Sequence, residues 1–207
     1  MTSPVDDQRM SIVRPNKLQF VEIEHKFIVD EQFDLQAFRD TIAQLHPTRT
    51  SSVQVQDRYF LTDVGKQGRF LIRHRYDPKL HHLTLKTLEE DPEVRSEINL
   101  DLGHHAGDQR GAVDAFLERL GIQWSGTLHK SIDVWYFPDI EIVHYRAETE
   151  ARSVRCVEFE ATKKSSLPDA LAILERYEYA TGFADQPRSR LSLPQILFPD
   201  MAAALTS

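Results

Sequence analysis

The sequence predicts an α+β fold that is mainly antiparallel β: an eight-stranded meander that closes, or nearly closes, into a barrel with helices packed outside. Three observations point there. Short runs of period-two alternation recur along the chain, as strands with one apolar face require. Gly65, Gly68, Asp77-Pro78, Asp91-Pro92 and Pro138-Asp139 punctuate those runs as turns. Amphipathic helical patterns fill only the gaps, with no internal repeat and no low-complexity tract.

Residues 1–17 are polar, include Pro4 and Pro15, and lack periodicity, which predicts a flexible arm ahead of one domain over 18–207. Phe20–Val29 alternates and reads as the first strand. Asp34 is placed to cap a helix carrying Leu35, Phe38, Ile42 and Leu45 at helical spacing, and Pro47 ends it. Strands are expected at Val53–Leu61, Arg69–Tyr76, Leu83–Leu88 and Val94–Leu102, with Gly65 and Gly68 flanking a turn. A second helix is expected over Gly111–Leu120, where Val113, Phe116, Leu117 and Leu120 share a face. Leu128–Phe137 and Ile140–Arg146 form a hairpin about Pro138-Asp139, and Val154–Ala161 is the eighth strand. Ala170–Tyr179 is a third helix, and Leu191–Leu205 a short C-terminal one.

Bulk composition narrows the function classes. A net charge of −7 over 207 residues argues against a general nucleic-acid binder, although an acidic protein can still enclose a basic pocket. No run approaches the roughly 20 apolar residues of a membrane span. Met1–Asp7 has neither the basic nor the apolar region of a secretory signal. The single cysteine, Cys156, excludes an internal disulfide framework. These features lead us to expect a soluble, cytoplasmic protein.

In a strand, alternate residues share a face. Glu22, Glu24 and Lys26 therefore point together, as do Arg69, Arg73 and Arg75, Thr84 and Lys86, Arg95, Glu97 and Asn99, and Glu158 and Glu160. The bland reading is a half-solvated sheet with its charges in water. Against it, the signs segregate by strand: acids on the first and eighth, bases on the third and fourth. Clustered bases on neighbouring strands repel unless an anion lies between them. If the charged face turns inward, the lumen carries Lys26, Arg69, Arg73, Arg75, Lys86 and Arg95 among several carboxylates, and it must be wet and liganded.

Glu22-Ile23-Glu24-His25-Lys26 resembles the Glu-x-Glu-x-Lys signature of the CYTH, or triphosphate tunnel, superfamily. Asp57-Arg58-Tyr59-Phe60, Arg73-His74-Arg75, Leu83-Thr84-Leu85-Lys86, Arg95-Ser96-Glu97 and Glu158-Phe159-Glu160 resemble later motifs of that family, in its order, between about Leu18 and Lys164. The resemblance implies a closed eight-stranded tunnel acting on small-molecule triphosphates or polyphosphate with Mg²⁺ or Mn²⁺. It implies Glu24, Lys26 and Glu97 as catalytic residues. It implies Lys26, Arg73, Arg75, Lys86, Arg95 and Lys130 as phosphate ligands, and Glu22, Glu24, Glu158 and Glu160 as metal ligands. Phosphoryl transfer suits such a set, because it needs charge neutralisation and positioning more than a covalent nucleophile.

The chain also departs from the family pattern. Asn99 stands where a further acid is usual, Ile132 replaces an arginine, and His144 is the nearest match to an aspartate on the seventh strand. Three readings follow: a metal-dependent triphosphatase, an adenylyl cyclase on the same scaffold, or a module that binds phosphorylated ligands without turnover. A monomer and a homodimer are both compatible with the sequence. The pairs His81-His82 and His104-His105 lack metal-ligand spacing, Cys156 reads as a space-filler, and Trp135-Tyr136-Phe137 reads as core and rim packing.

Overall fold

The structure, a computed structural model, describes residues 20–76, 81–88, 93–103 and 109–206. The arm expected at 1–17 and the turns at 77–78 and 91–92 lie outside them, as does the His104-His105 pair.

Eight antiparallel strands close into a barrel in the order β1-β5-β4-β3-β2-β6-β7-β8. They are β1 (Phe20–Val29), β2 (Arg49–Thr62), β3 (Phe70–Tyr76), β4 (His81–Thr87), β5 (Val94–Asp101), β6 (Ile122–Tyr136), β7 (Ile140–Glu148) and β8 (Ser153–Ala161). Strand β1 closes the ring, pairing with β5 through residues 20–23 and with β8 through 24–29. The long β2 and β6 pair from Arg49–Tyr136 to Thr62–Ile122. The predicted barrel is thus the observed one.

Helices α1 (Leu35–Gln44), α3 (Arg110–Glu118) and α4 (Leu167–Thr181) cover outward faces of the wall. Asp34 starts α1 by accepting from the Ala37 amide at 2.9 Å, and Ser166 caps α4. Beneath α1 and α4, Phe27, Phe159 and Phe183 meet edge to face at 4.9–5.7 Å. Burial of each such ring contributes about 1.5–3 kcal/mol. A smaller outer cluster joins Phe60 and Ile72 to Val113 and Leu117 of α3.

The third apolar cluster is inside. Inward Leu61, Leu71, Trp124, Leu128, Ala147 and Cys156 pack against Leu193 of α5 (Leu193–Leu197), Leu197, and Met201 of α6 (Pro199–Thr206). These C-terminal helices therefore fill one end of the barrel. A Ser192–Gln195 capping box starts α5, and Trp124 Nε1 donates to Asp200 at 2.8 Å. Gly126 permits the close fit, since a Cβ there would meet Trp124 and Phe198 at 2.7–2.8 Å.

Several boundaries differ from expectation. Strand β2 begins at Arg49 rather than Val53, and β6 at Ile122 rather than Leu128, because each extends the other's ladder, through the polar Arg49–Ser52 in β2 and past the Gly126 break in β6. A short helix, α2 (Asp63–Gly68), replaces the expected turn, and two glycines had masked it. Arg69 caps α2 in a left-handed conformation (φ 53°), so β3 starts one residue later than expected. The single C-terminal helix is two. Among the described residues no helix is long and apolar enough to cross a membrane.

Candidate active site

Residues 22, 24 and 26 of β1, 73 and 75 of β3, 86 of β4, 95 and 97 of β5, 130 of β6, and 158 and 160 of β8 share the inward faces of their strands. All eleven predicted site residues line one cavity of about 830 Å³. Ser51, Val53, Val134 and Tyr136 lie at one end, and Leu193, Pro194 and Leu205 at the other.

Charge divides around the ring. Strands β7, β8 and β1 form an acidic wall: Glu160 is cross-strand partner to both Glu24 and Glu141, and Lys26 is partner to Glu158. Half a turn away, β3 and β4 present Arg73, Arg75 and Lys86.

Most of these charges are already matched. Lys26 Nζ lies 3.3 Å from Glu24 and 3.1 Å from Glu158. Glu24 also pairs closely with Arg95, and Lys86 pairs closely with Glu97 and at 3.4 Å with Glu22. The Tyr145 hydroxyl donates to Glu158 at 2.7 Å. Arg75 grips the fully buried Asp57 with two hydrogen bonds of 2.7 Å. Arg73 donates to Thr84 at 3.1 Å, and Thr84 donates to Asn99 at 2.6 Å.

The pairing sets the protonation states. Burial alone would raise the Asp57 carboxyl, but Arg75 holds it far below the ordinary range. Burial likewise opposes ionisation of Glu158 and Glu97, and it is outweighed by Lys26 at the first and Lys86 at the second. Two groups go the other way. Glu160 is pushed well above the carboxylate range by burial and then by Glu22 and Glu141. Lys130 is pushed down to about 8 by burial, which the Glu158 charge offsets only in part.

Glu160 therefore sits in an acidic corner with Glu22 and Glu141, whose like charges a divalent cation would neutralise. The donors are all carboxylate oxygens, which fit Mg²⁺ or Mn²⁺. Glu24 and Glu158 are instead committed to lysine, arginine and tyrosine partners. As they stand, no three His, Cys, Asp or Glu among the described residues are spaced to hold a metal ion.

Some placements correct the sequence reading. His144 is not in the lumen; it faces outward, stacks on Phe33 at 6.1 Å and lies 3.8 Å from Asp133. The seventh-strand acid in the cavity is Glu141, which the sequence reading passed over. Its signal was present: it is the acid that shares a face with Val143 and Tyr145, opposite Ile140 and Ile142. Arg69 lies exposed at the rim and donates to the Leu88 carbonyl at 3.4 Å. His25, on the outer face of β1, donates to Glu178 and accepts from Arg188, so its side chain is a hydrogen-bonded part of the wall. Tyr145 and the Asp57 anchor had no predicted role.

No family model matches the sequence, and no curated protein does. Solved structures do. A protein from Pyrococcus horikoshii OT3 is similar with a TM-score of 0.68 at 18% identity, over 85% of this chain and 99% of its own. A candidate adenylate cyclase from Bacillus halodurans gives 0.56 at 18% identity, over 87% and 98%. An adenylyl cyclase candidate from Hippeastrum, described by a dominant triphosphatase activity, gives 0.58 at 17% identity, over 86% and 96%. At such identities the likeness is one of fold. It shows that the chain shares the fold of these structures.

Proposed function

We propose that this chain is a metal-dependent hydrolase of a triphosphate-containing substrate, either inorganic tripolyphosphate or an organic or nucleoside triphosphate, working in the cytoplasm. One observation carries the reading: a single cavity has an acidic and a basic side, and each keeps groups with no ion pair among the described residues, Glu160 and Glu141 on the acidic side, Arg73 and Lys130 among the bases. Glu160 calls for a cation and Lys130 for an anion. A polyphosphate with a divalent ion supplies both at once.

Glu160, Glu22 and Glu141 would hold the ion, which when bound supplies Lewis-acid polarisation of a phosphoryl oxygen. The chain's own residues do the rest. Arg73 offers a buried Nε that has no acceptor among the described residues. Arg75 is oriented in advance by Asp57, and Lys86 and Arg95 exchange carboxylate partners for phosphate oxygens. Lys26 keeps Glu24 and Glu158 in place. Glu97, ionised in the free protein beside Lys86 and Arg73 and released when Lys86 turns to phosphate, accepts the proton of the attacking water, which Glu24 orients. The apolar end formed by α5 and α6 excludes bulk water and strengthens each of these interactions.

The test is phosphate release by the purified protein from tripolyphosphate, ATP and thiamine triphosphate, with Mg²⁺, Mn²⁺ or EDTA. Metal-dependent release that collapses in Glu24→Ala and Glu160→Gln supports the reading, and the fastest substrate names its class. Cyclic nucleotide formation from ATP in place of phosphate release would replace it with a cyclase. Binding without any product would leave a receptor.

A further inference from the structure

Four lysines line the cavity, and the three that stand on strands, Lys26, Lys86 and Lys130, differ in one respect. Lys26 has two carboxylates within 3.3 Å, and Lys86 has Glu22 and Glu97. Lys130 has none: among the described residues no carboxylate lies within ion-pair distance of its ammonium. Its neighbour is the face of the Tyr145 ring, with Nζ 3.7 Å from the centroid. Tyr145 cannot supply a counter-charge, because its hydroxyl is committed to Glu158 and burial keeps it protonated.

The surrounding charges leave Lys130 no better served. On β2, Asp57 is spent on Arg75, and on β8, Glu158 is spent on Lys26 and Tyr145. On β3, Arg73 and Arg75 repel it. From the C-terminal segment, Arg190 adds another cation at the edge of the cavity. An ammonium taken out of water without an anion holds its proton weakly. A polyphosphate placed between Arg73 and Lys130 would change that, since it brings the missing anion.

We propose that Lys130 takes up a proton as the polyanion binds, so that the cavity senses its ligand by gaining charge. The inference rests on the polyphosphate reading above. By linkage, a group that binds more protons in the complex makes affinity fall as the pH rises past its value in the free protein. That value is about 8. Lys130 then separates an anion-free state, in which β3 and β6 repel one another less, from a bound state with every cation charged. An arginine at this position would lack the device, because it stays protonated throughout.

The experiment uses the full-length protein in EDTA, with inorganic tripolyphosphate as the probe and calorimetric titration between pH 7 and 9. Lys130→Arg is measured in parallel, which cancels protonation of the ligand itself. We expect wild-type affinity to fall about tenfold more over this range than that of the variant. Heats at pH 8 in buffers of different ionisation enthalpy should show about half a proton more taken up by the wild type. Equal slopes in the two proteins would overturn the proposal while leaving the polyphosphate reading intact. No binding by the wild type at any pH would sink both.

If Lys130→Arg does not fold, acetic anhydride labelling of the wild type, followed at Lys130 by mass spectrometry, decides the matter. Labelling should titrate with a midpoint near pH 8 and stop when tripolyphosphate is added. A midpoint in the ordinary lysine range would contradict the proposal.

Discussion

The two charged walls of the cavity meet the same difficulty, like charges in a confined space, by different means. The acidic wall of β7, β8 and β1 borrows cations: Lys26 from its own strand, and Arg95 and Lys86 from β5 and β4. The basic side borrows one deeply buried anion, Asp57, and spends it on Arg75. Each solution stops short, at Glu160 and Glu141 on one side and at Arg73 and Lys130 on the other. The proposed function rests on that shortfall: a ligand with a cationic and an anionic part would fill it.

Breaking the basic wall's anchor should have the largest effect. Arg75→Met strands a buried carboxylate and is expected to cost about 3–5 kcal/mol in denaturant unfolding. Adding Asp57→Asn should restore most of it. The Asp57 value lies below that of the unfolded chain, so this stabilisation is present above the ordinary carboxylate range and disappears as pH falls through the folded value. A double mutant that stays as unstable as the single one would show that Asp57 matters for more than charge.

On the acidic wall, Glu24→Ala should lower turnover by at least about a hundredfold, because it removes the partner shared by Lys26 and Arg95. Glu160→Gln sharpens the comparison. The Glu160 value is raised in the folded state, so the metal-free protein loses stability as pH climbs from the ordinary carboxylate range through that raised value. Melting temperatures in EDTA should fall across this window in the wild type and much less in the variant. Mn²⁺ should remove the fall.

A smaller effect is expected of Lys130→Met. The folded Lys130 value lies below that of the free lysine, so its cost is present in full below about pH 8 and fades as pH rises to the ordinary lysine range. The variant should be about 1–2 kcal/mol more stable than wild type at pH 7, and equal to it near the free lysine value. Arg188→Ala, which loosens the C-terminal segment from His25, should cost about 1 kcal/mol.

The strand faces were legible in the sequence because alternation is a local property. Glu22, Glu24 and Lys26 sort together whichever way the sheet curls. Which face turns inward is a property of closure, and the pattern alone left it open. The same limit explains Glu141 and His144: both faces of β7 mix apolar and titratable residues, Ile140, Ile142, His144 and Arg146 on one and Glu141, Val143 and Tyr145 on the other, so alternation could not choose. The end filled by α5 and α6 was hidden for another reason. Leu61, Leu71, Leu128 and Cys156 share strand faces with the charged set, so the lumen is half apolar, and nothing local says that helices from the far C-terminal end of the chain cover it. The ion-pair commitments of Glu24 and Glu158 depend on side chains from other strands, and no local window contains them.

The most direct measurement is the affinity of a non-hydrolysable imido analogue of tripolyphosphate with and without Mn²⁺, in the wild type and in Glu160→Gln. Opposed walls that hold a metal and a polyphosphate together predict that Mn²⁺ tightens wild-type binding by at least about tenfold, the scale of a typical coupling between two ligands. The variant should lose that gain while still binding the analogue in EDTA. Equal affinities with Mn²⁺ and with EDTA in the wild type would contradict the account, since Glu160 would then have no part in holding the ligand.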